Sequence, residues 1–302
     1  MFFSHIRRKG RATGMHIVIL SMVSLTAWDS QAAVMYDGME THALGALNGQ
    51  GAAGGGWTGG WNQTFGEDAA FTVVTGGLNY NNGAINLDGG NRSLLVGTVY
   101  NSTINRPFTS NSSDPLYFSF LFRNTAGLNS SLLLGGHLSN NQTPTTNYGA
   151  IGKLATPEFS ARLNEGGFDT TSSSTTIAAN TTYFLVGRLS KDGTSGDADG
   201  FYDQLEMWIN PNSANLGTPD VIIDNSMGIS GGLTHFMLRY NNASASAEYL
   251  LDEFRITENL HQALGIIPEP TTALLLMMGA GLFSWRRRGV SAPHLNGNGT
   301  PS

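Results

Sequence analysis

Between residues 71 and 257 the chain repeats one pattern: short runs rich in apolar and β-branched residues, separated by Gly, Asn, Ser and Asp. The clearest run is 116–123, LYFSFLFR, in which Leu116, Phe118, Phe120 and Phe122 fall on every second position. Side chains of a strand point alternately to its two faces, so this spacing predicts a strand with one face in a core. Further runs at 71–74, 84–87, 92–96, 132–134, 150–153, 159–163, 183–189, 205–209, 221–223, 235–240 and 248–257 predict more strands. No helical period interrupts them. The prediction is an all-β chain: one antiparallel β-sandwich over residues 33–264, rather than two domains.

The two ends depart from this pattern. Arg7, Arg8, Lys9 and Arg11 precede an apolar stretch at 17–27, and Ser30 and Ala32 place small residues where a signal peptidase reads. Residues 1–32 therefore read as a signal peptide, because eleven apolar residues are too few to span a bilayer. A start at Met15 would leave that segment without its basic residues. Near the other end, 271–285 (TTALLLMMGAGLFSW) contains no charge, follows Pro268-Glu269-Pro270 and runs into Arg286, Arg287 and Arg288. Fifteen residues of helix reach roughly 22 Å, short of the roughly 30 Å hydrocarbon core, a gap that bilayer thinning and snorkelling arginines close. The arginines mark the cytoplasmic side. A single transmembrane helix is expected over 271–285, followed by a Gly/Asn/Pro-rich tail, 289–302, of disordered composition.

Pro268-Glu269-Pro270, an uncharged apolar segment and the cluster Arg286-Arg287-Arg288, in that order, resemble the PEP-CTERM sorting signal of Gram-negative bacteria. The resemblance covers residues 265–288. It implies export by the Sec machinery and a transient inner-membrane anchor. Cleavage near Pro268-Glu269-Pro270 by an exosortase, a membrane cysteine transpeptidase, then sends the body to the cell surface or extracellular matrix. Hosts of such systems make exopolysaccharide and biofilm. Most such tails stop at the arginines; this one continues through 289–302.

The chain has no cysteine, which excludes a disulfide, a thiol nucleophile and a lipidated N-terminus. Residues 33–265 carry nine Lys/Arg against twenty Asp/Glu, a net of −11, and a body of that sign is a poor nucleic-acid binder. Within it, Tyr36-Asp37-Gly38, the run Leu205-x-Met207-Trp208-Ile209-Asn210-Pro211 and Leu251-Asp252-Glu253-Phe254-Arg255-Ile256 resemble the concanavalin A-like (LamG-type) jelly roll. That resemblance implies two stacked sheets with the first and last strands side by side. Relatives include glycan binders and glycan-cleaving enzymes, so fold alone does not decide function.

Candidate chemistry is sparse. A hydrolase of the laminarinase type needs Glu-x-Asp-x-x-Glu on one strand, and the chain offers only Asp203-x-x-Glu206 with Phe201 in the first position. Asp252 and Glu253 are adjacent and would point to opposite faces. No His-Glu-x-x-His or Gly-x-Ser-x-Gly occurs, and His42, His137, His235 and His261 read as surface or hydrogen-bonded residues. Asp197, Asp199 and Asp203 crowd one loop and leave two readings open: a calcium site built of oxygen ligands, or a hairpin tip using Asp and Gly for its turn. No other cofactor is expected. Trp57 and Trp61, in a Gly-rich stretch, read as loop residues packed over a sheet rather than a sugar platform. Asp252 shares alternate positions with Leu250, Phe254 and Ile256 and is expected to point inward, hydrogen-bonded.

These residues favour a non-catalytic exported protein. The alternatives are a glycan- or exopolysaccharide-binding module, with Trp208 and Tyr240 as its exposed aromatics, and a degenerate hydrolase. With Ser30 and Ala32 at the −3 and −1 positions, the exported chain should begin at Ala33. N-terminal sequencing that finds residues 17–27 retained would contradict the signal peptide.

Overall fold

A computed structural model describes residues 34–97, 101–127, 133–143, 147–154, 156–164, 167–191, 200–241 and 247–266. Among them the chain forms strands β1 (Met35–Asp37), β2 (Gly45–Ala46), β3 (Asn62–Phe65), β4 (Phe71–Thr75), β5 (Asn79–Asn82), β6 (Ile85–Asp88), β7 (Arg92–Gly97), β8 (Ser102–Asn111) and β9 (Leu116–Ala126). There follow β10 (Leu133–Ser139), β11 (Tyr148–Leu154), β12 (Glu158–Asn164), β13 (Phe168–Thr176), β14 (Thr182–Ser190), β15 (Tyr202–Ile209), β16 (Val221–Ile229), β17 (Leu233–Asn241) and β18 (Glu248–Thr257). One helical turn, α1 (Leu260–Ala263), closes the described chain.

Every sheet pairing is antiparallel, as the sequence pattern predicts. One sheet runs β16-β15-β14-β9-β18-β7-β4-β2, and the other β13-β12-β11-β10-β17-β8-β3. β1 pairs with β18 beyond the part of that strand taken by β7, so the first and last strands are neighbours. Phe118, Phe120 and Phe122 of β9 lie in the core between the sheets, with Phe159, Leu163, Phe236 and Leu238 facing them from the other side. The Phe122 and Phe159 rings meet edge-on at 5.2 Å. Gly187 of β14 sits opposite Phe118, and a Cβ there would come within 2.4 Å of that ring. Glycine is the residue that lets the strands close.

A second apolar layer covers the outer face of the β9 sheet. The β5–β6 hairpin lays Leu78, Tyr80, Ile85 and Leu87 against Leu121, Phe184, Val186 and Trp208, and Leu260, Leu264 and Ile266 around α1 join them. Hence β9 is buried on both faces, which explains its nearly continuous apolar composition.

Two expectations need correction. Asp252 points not into the main core with Phe254 and Ile256 but to the outer layer with Leu250. Glu253 adopts φ 58° and the β18–β9 register shifts between Asp252 and Arg255, so a bulge resets the alternation there. Strands β2, β3, β5, β8 and β13 lie where no strand was expected; β13 is almost wholly Ser and Thr and forms a sheet edge, where there is little apolar area to bury. No helix among the described residues is long and apolar enough to cross a membrane. The expected signal peptide, the transmembrane segment at 271–285 and the 289–302 tail lie outside them.

Phe120 is 1 % exposed and touches both Gly136 of the facing sheet and the Phe254 ring at 6.0 Å. Phe120→Ala should destabilise the sandwich by about 3–5 kcal/mol. A shift in urea midpoint worth under about 1 kcal/mol would show that this ring is not a core residue.

Candidate functional site

Of the residues expected to carry chemistry, Pro268, Glu269, Pro270, Arg286, Arg287 and Arg288 lie outside the described residues, as do Asp197 and Asp199. Asp203 is buried in β15. Among the described residues no three His, Asp or Glu side chains stand close enough to hold a metal. Trp208 and Tyr240 are not exposed aromatics. Trp208 lies under the second layer at 4 % exposure, its indole donating to Gly217 O at 3.1 Å. Tyr240 is fully buried in the main core, its hydroxyl donating to Ala247 O at 3.1 Å. Neither ring presents a face to a sugar. Trp57 and Trp61 are buried as well, in keeping with a packed loop.

What the Gly-rich stretch packs around is a buried ion cluster at the start of the body. Asp37 of β1 accepts from Trp61 Nε1 at 2.8 Å, pairs with His42 Nε2 at 2.8 Å and forms an ion pair with Arg106 of β8. Arg106 also donates to Gly59 O and Ala52 O and lies over the Trp57 ring at 4.5 Å. Burial pushes the Asp37 carboxyl up, but the hydrogen bond and charge of His42, the charge of Arg106 and the Trp61 N–H outweigh it and hold it below its usual value. All four side chains are buried and mutually satisfied, so Tyr36-Asp37-Gly38 is a fastening between the two sheets.

A second fastening sits at the bulge. Asp252 accepts from Leu78 N at 3.0 Å and Glu253 N at 2.9 Å, holding the start of the β5–β6 hairpin against β18. Gly89 passes so close that a Cβ would lie 2.2 Å from the Asp252 carboxylate. Glu253 turns the other way, accepting from Tyr36 at 2.5 Å and pairing with Arg255.

The outer face of the β10 sheet has a different character. Register places Arg162, Ala150, His137, Met237 and Asn105 in one row across β12, β11, β10, β17 and β8. The rows on either side hold Asn164, Tyr148, Ser139 and His235, and Ser160, Gly152, Gly135, Arg239 and Thr103. Among the described residues these three rows contain no carboxylate. His137 is neither exposed nor hydrogen-bonded: it is wholly buried, and among the described residues neither ring nitrogen has a partner. Burial, with the charges of Arg239 and Arg162 added, holds its pKa well below the ordinary value, so the ring is neutral. Its sequence context, Leu-Leu-Gly-Gly-His-Leu-Ser, reads as an apolar strand and gives the imidazole no visible partner.

Residues 267–288 match the PEP-CTERM protein-sorting motif, so the chain carries that motif. No curated protein matches the chain by sequence. Among solved structures it is similar to domain 4 of AbnA, a GH43 extracellular arabinanase from Geobacillus stearothermophilus, in complex with arabinotriose. That likeness has 13% identity over 79% of this chain and 100% of that chain, with a TM-score of 0.47. It is also similar to an endo-beta-1,4-glucuronan lyase from the fungus Trichoderma reesei, at 9% identity over 72% and 94% of the two chains, TM-score 0.43. The receptor-binding domain of botulinum neurotoxin type G is similar at 13% identity over 74% of this chain and 50% of that one, TM-score 0.41. At such values the fold rests on the chain's own strand pairing.

Asp252 gives the buried polar set its pH signature. Burial raises its carboxyl from 3.8 to about 8 against the two N–H donors. The folded chain then binds more protons than the unfolded one between those values, so this contribution to stability is complete below about pH 4 and is lost as pH rises through about 8. Asp252→Asn turns an amide N–H₂ toward one of two backbone donors. It should cost about 1–3 kcal/mol and flatten the decline of stability between pH 5 and 9. Urea melts across that range check both effects, and an unchanged slope would show that Asp252 is not the group titrating.

Proposed function

We propose that the chain is an exported, non-catalytic β-sandwich protein delivered to the surface of a Gram-negative bacterium and separated from its tail by an exosortase. The observation that carries this is the sorting motif at 267–288. Its parts make separate physical demands. Leu274, Leu275, Leu276, Met277, Met278, Leu282 and Phe283 gain by entering lipid, and Arg286, Arg287 and Arg288 resist crossing it. Pro268 and Pro270 keep the residues before Thr271 out of a helix, which leaves an extended backbone that a transpeptidase can grip. The described body ends at Ile266, packed in the second layer one residue before the motif begins. The sequence of events is export through Sec, a pause in the inner membrane, and cleavage near Pro268-Glu269-Pro270.

A non-catalytic body is supported by the buried carboxylates among the described residues, which are engaged in structure. Asp37 and Asp252 are the buried fastenings, Glu206 pairs with Arg188, and Asp203 lies buried in β15. Acid–base work on a substrate needs a carboxylate within hydrogen-bond reach of it.

Replacing Pro268, Glu269 and Pro270 together by Ala should leave the protein membrane-held and uncleaved, whereas neutralising Arg286, Arg287 and Arg288 should loosen retention and orientation. Cell fractionation with immunoblotting distinguishes them. If the Pro-Glu-Pro variant reaches the surface as efficiently as the parent, the tail is an anchor and not a sorting signal.

A further inference from the structure

On the sorting reading above, we propose that α1 is a clasp that withholds Pro268-Glu269-Pro270 from the exosortase while the sandwich is folded, so that tail removal waits on the release of residues 258–266. The turn is short, yet it is locked at both ends. Asn259 is its N-cap, the side chain accepting from His261 N at 2.9 Å. At the other end Gly265, at φ 67°, donates through its N–H to Gln262 O at 3.0 Å, and Ile266 N donates to His261 O at 2.9 Å. Those two bonds are the pair that defines a Schellman motif, which needs a left-handed residue where the glycine stands. A helix of one turn does not hold together in water by itself. Docking holds this one.

The groups that dock α1 belong to elements that come together only when the body folds. Ser119 Oγ of β9 donates to Ala263 O at 2.7 Å, and Thr257 Oγ1 of β18 donates to Gln262 Oε1 at 2.6 Å. Leu264 is wholly buried in the second layer, and a Cβ at Gly265 would lie 2.5 Å from Leu87 of the β5–β6 hairpin. The backbone is therefore fixed through Ile266, and the sorting motif begins at the next residue.

Chain length turns that juxtaposition into a constraint. Pro270 is four residues beyond Ile266, at most about 14 Å when fully extended. One helix of a membrane enzyme, with its side chains, is about 10–12 Å across. An enzyme that positions an extended substrate also needs backbone upstream of the bond it cuts, and the upstream residues here are wound into α1. Releasing 258–266 frees nine residues and adds about 30 Å of reach. The sandwich need not open for that, because α1 lies after the last strand.

The test is pulse-chase of tail removal from the full chain in an exosortase-bearing host. It is read beside hydrogen exchange of residues 258–266 in the detergent-solubilised protein. An insertion of about eight Gly/Ser residues between Ile266 and Ile267 should raise the rate constant for cleavage at least about threefold and leave exchange in α1 unchanged. Leu264→Ala should raise cleavage and α1 exchange by the same factor, since both then follow the population of the open turn. Combining the two should give no more than the insertion alone, because a chain with its own slack no longer needs the turn to open. Cleavage of either single variant within about twofold of the parent rate, or effects that multiply in the combination, would overturn the clasp. Should Leu264→Ala fail to fold, the insertion decides alone, since it changes no packed side chain. A parent that is never cut overturns the sorting reading and the clasp with it. A parent cut as fast as the insertion variant overturns the clasp only.

Discussion

The structure depends on what β18 does at Asp252 and Glu253. This strand pairs with β9 along one side and with β7 and then β1 along the other, so the last strand of the body holds its middle and its beginning. The bulge at Glu253 lets one strand serve two layers: Tyr249 and Leu251 before it, and Phe254 and Ile256 after it, face the main core. Asp252 faces the other way and anchors the hairpin. A regular strand continuing from Tyr249 and Leu251 would turn Glu253 and Arg255 into the main core and Phe254 and Ile256 out of it, at a desolvation cost of several kcal/mol. Accepting the left-handed φ at one residue costs about 1–3 kcal/mol, which is the smaller penalty.

The same economy of buried charge appears at Asp37. Arg106 occupies an inward position of β8 and is matched by a carboxylate 69 residues earlier in the chain, with His42 and Trp61 completing its shell. Such a cluster is poor evidence of net stability, since a hydrophobic replacement of the whole set can be as stable. Its value lies in register, because removing any one member strands the others in a dry site. The short terminal strand β1 is thereby held to one place. Arg162 and Arg239, on the outer face of the β10 sheet, sit at half-buried positions instead.

How far the sequence discloses this follows from what decides each element. Phe118, Phe120 and Phe122 announce their strand because burial against a core is a local pattern with period two. Strands β8 and β13 lack that pattern: β8 carries Arg106 inward on the strength of a distant partner, and β13 forms an edge of Ser and Thr. Trp208 is on the strand expected of it, but the layer covering it comes from residues 79–88, a pairing that no local pattern reveals. Asp252 is legible as a buried acid, and its direction is not, because a bulge at a glutamate has no signature. The row of Arg162, Ala150, His137, Met237 and Asn105 draws on five separate strands, so only the fold brings it into view. The sorting motif is the opposite case, legible in full because its meaning lies in linear order.

The central claim is that a folded β-sandwich is carried to the surface by a tail it then loses. Peptide mapping with intact mass of the protein recovered from the cell surface tests it most directly. The account predicts a species whose C-terminus lies in or just before Pro268-Glu269-Pro270, retaining the body through Ile266 and lacking Arg286, Arg287 and Arg288. Surface protein that still contains residues 271–288 would contradict it.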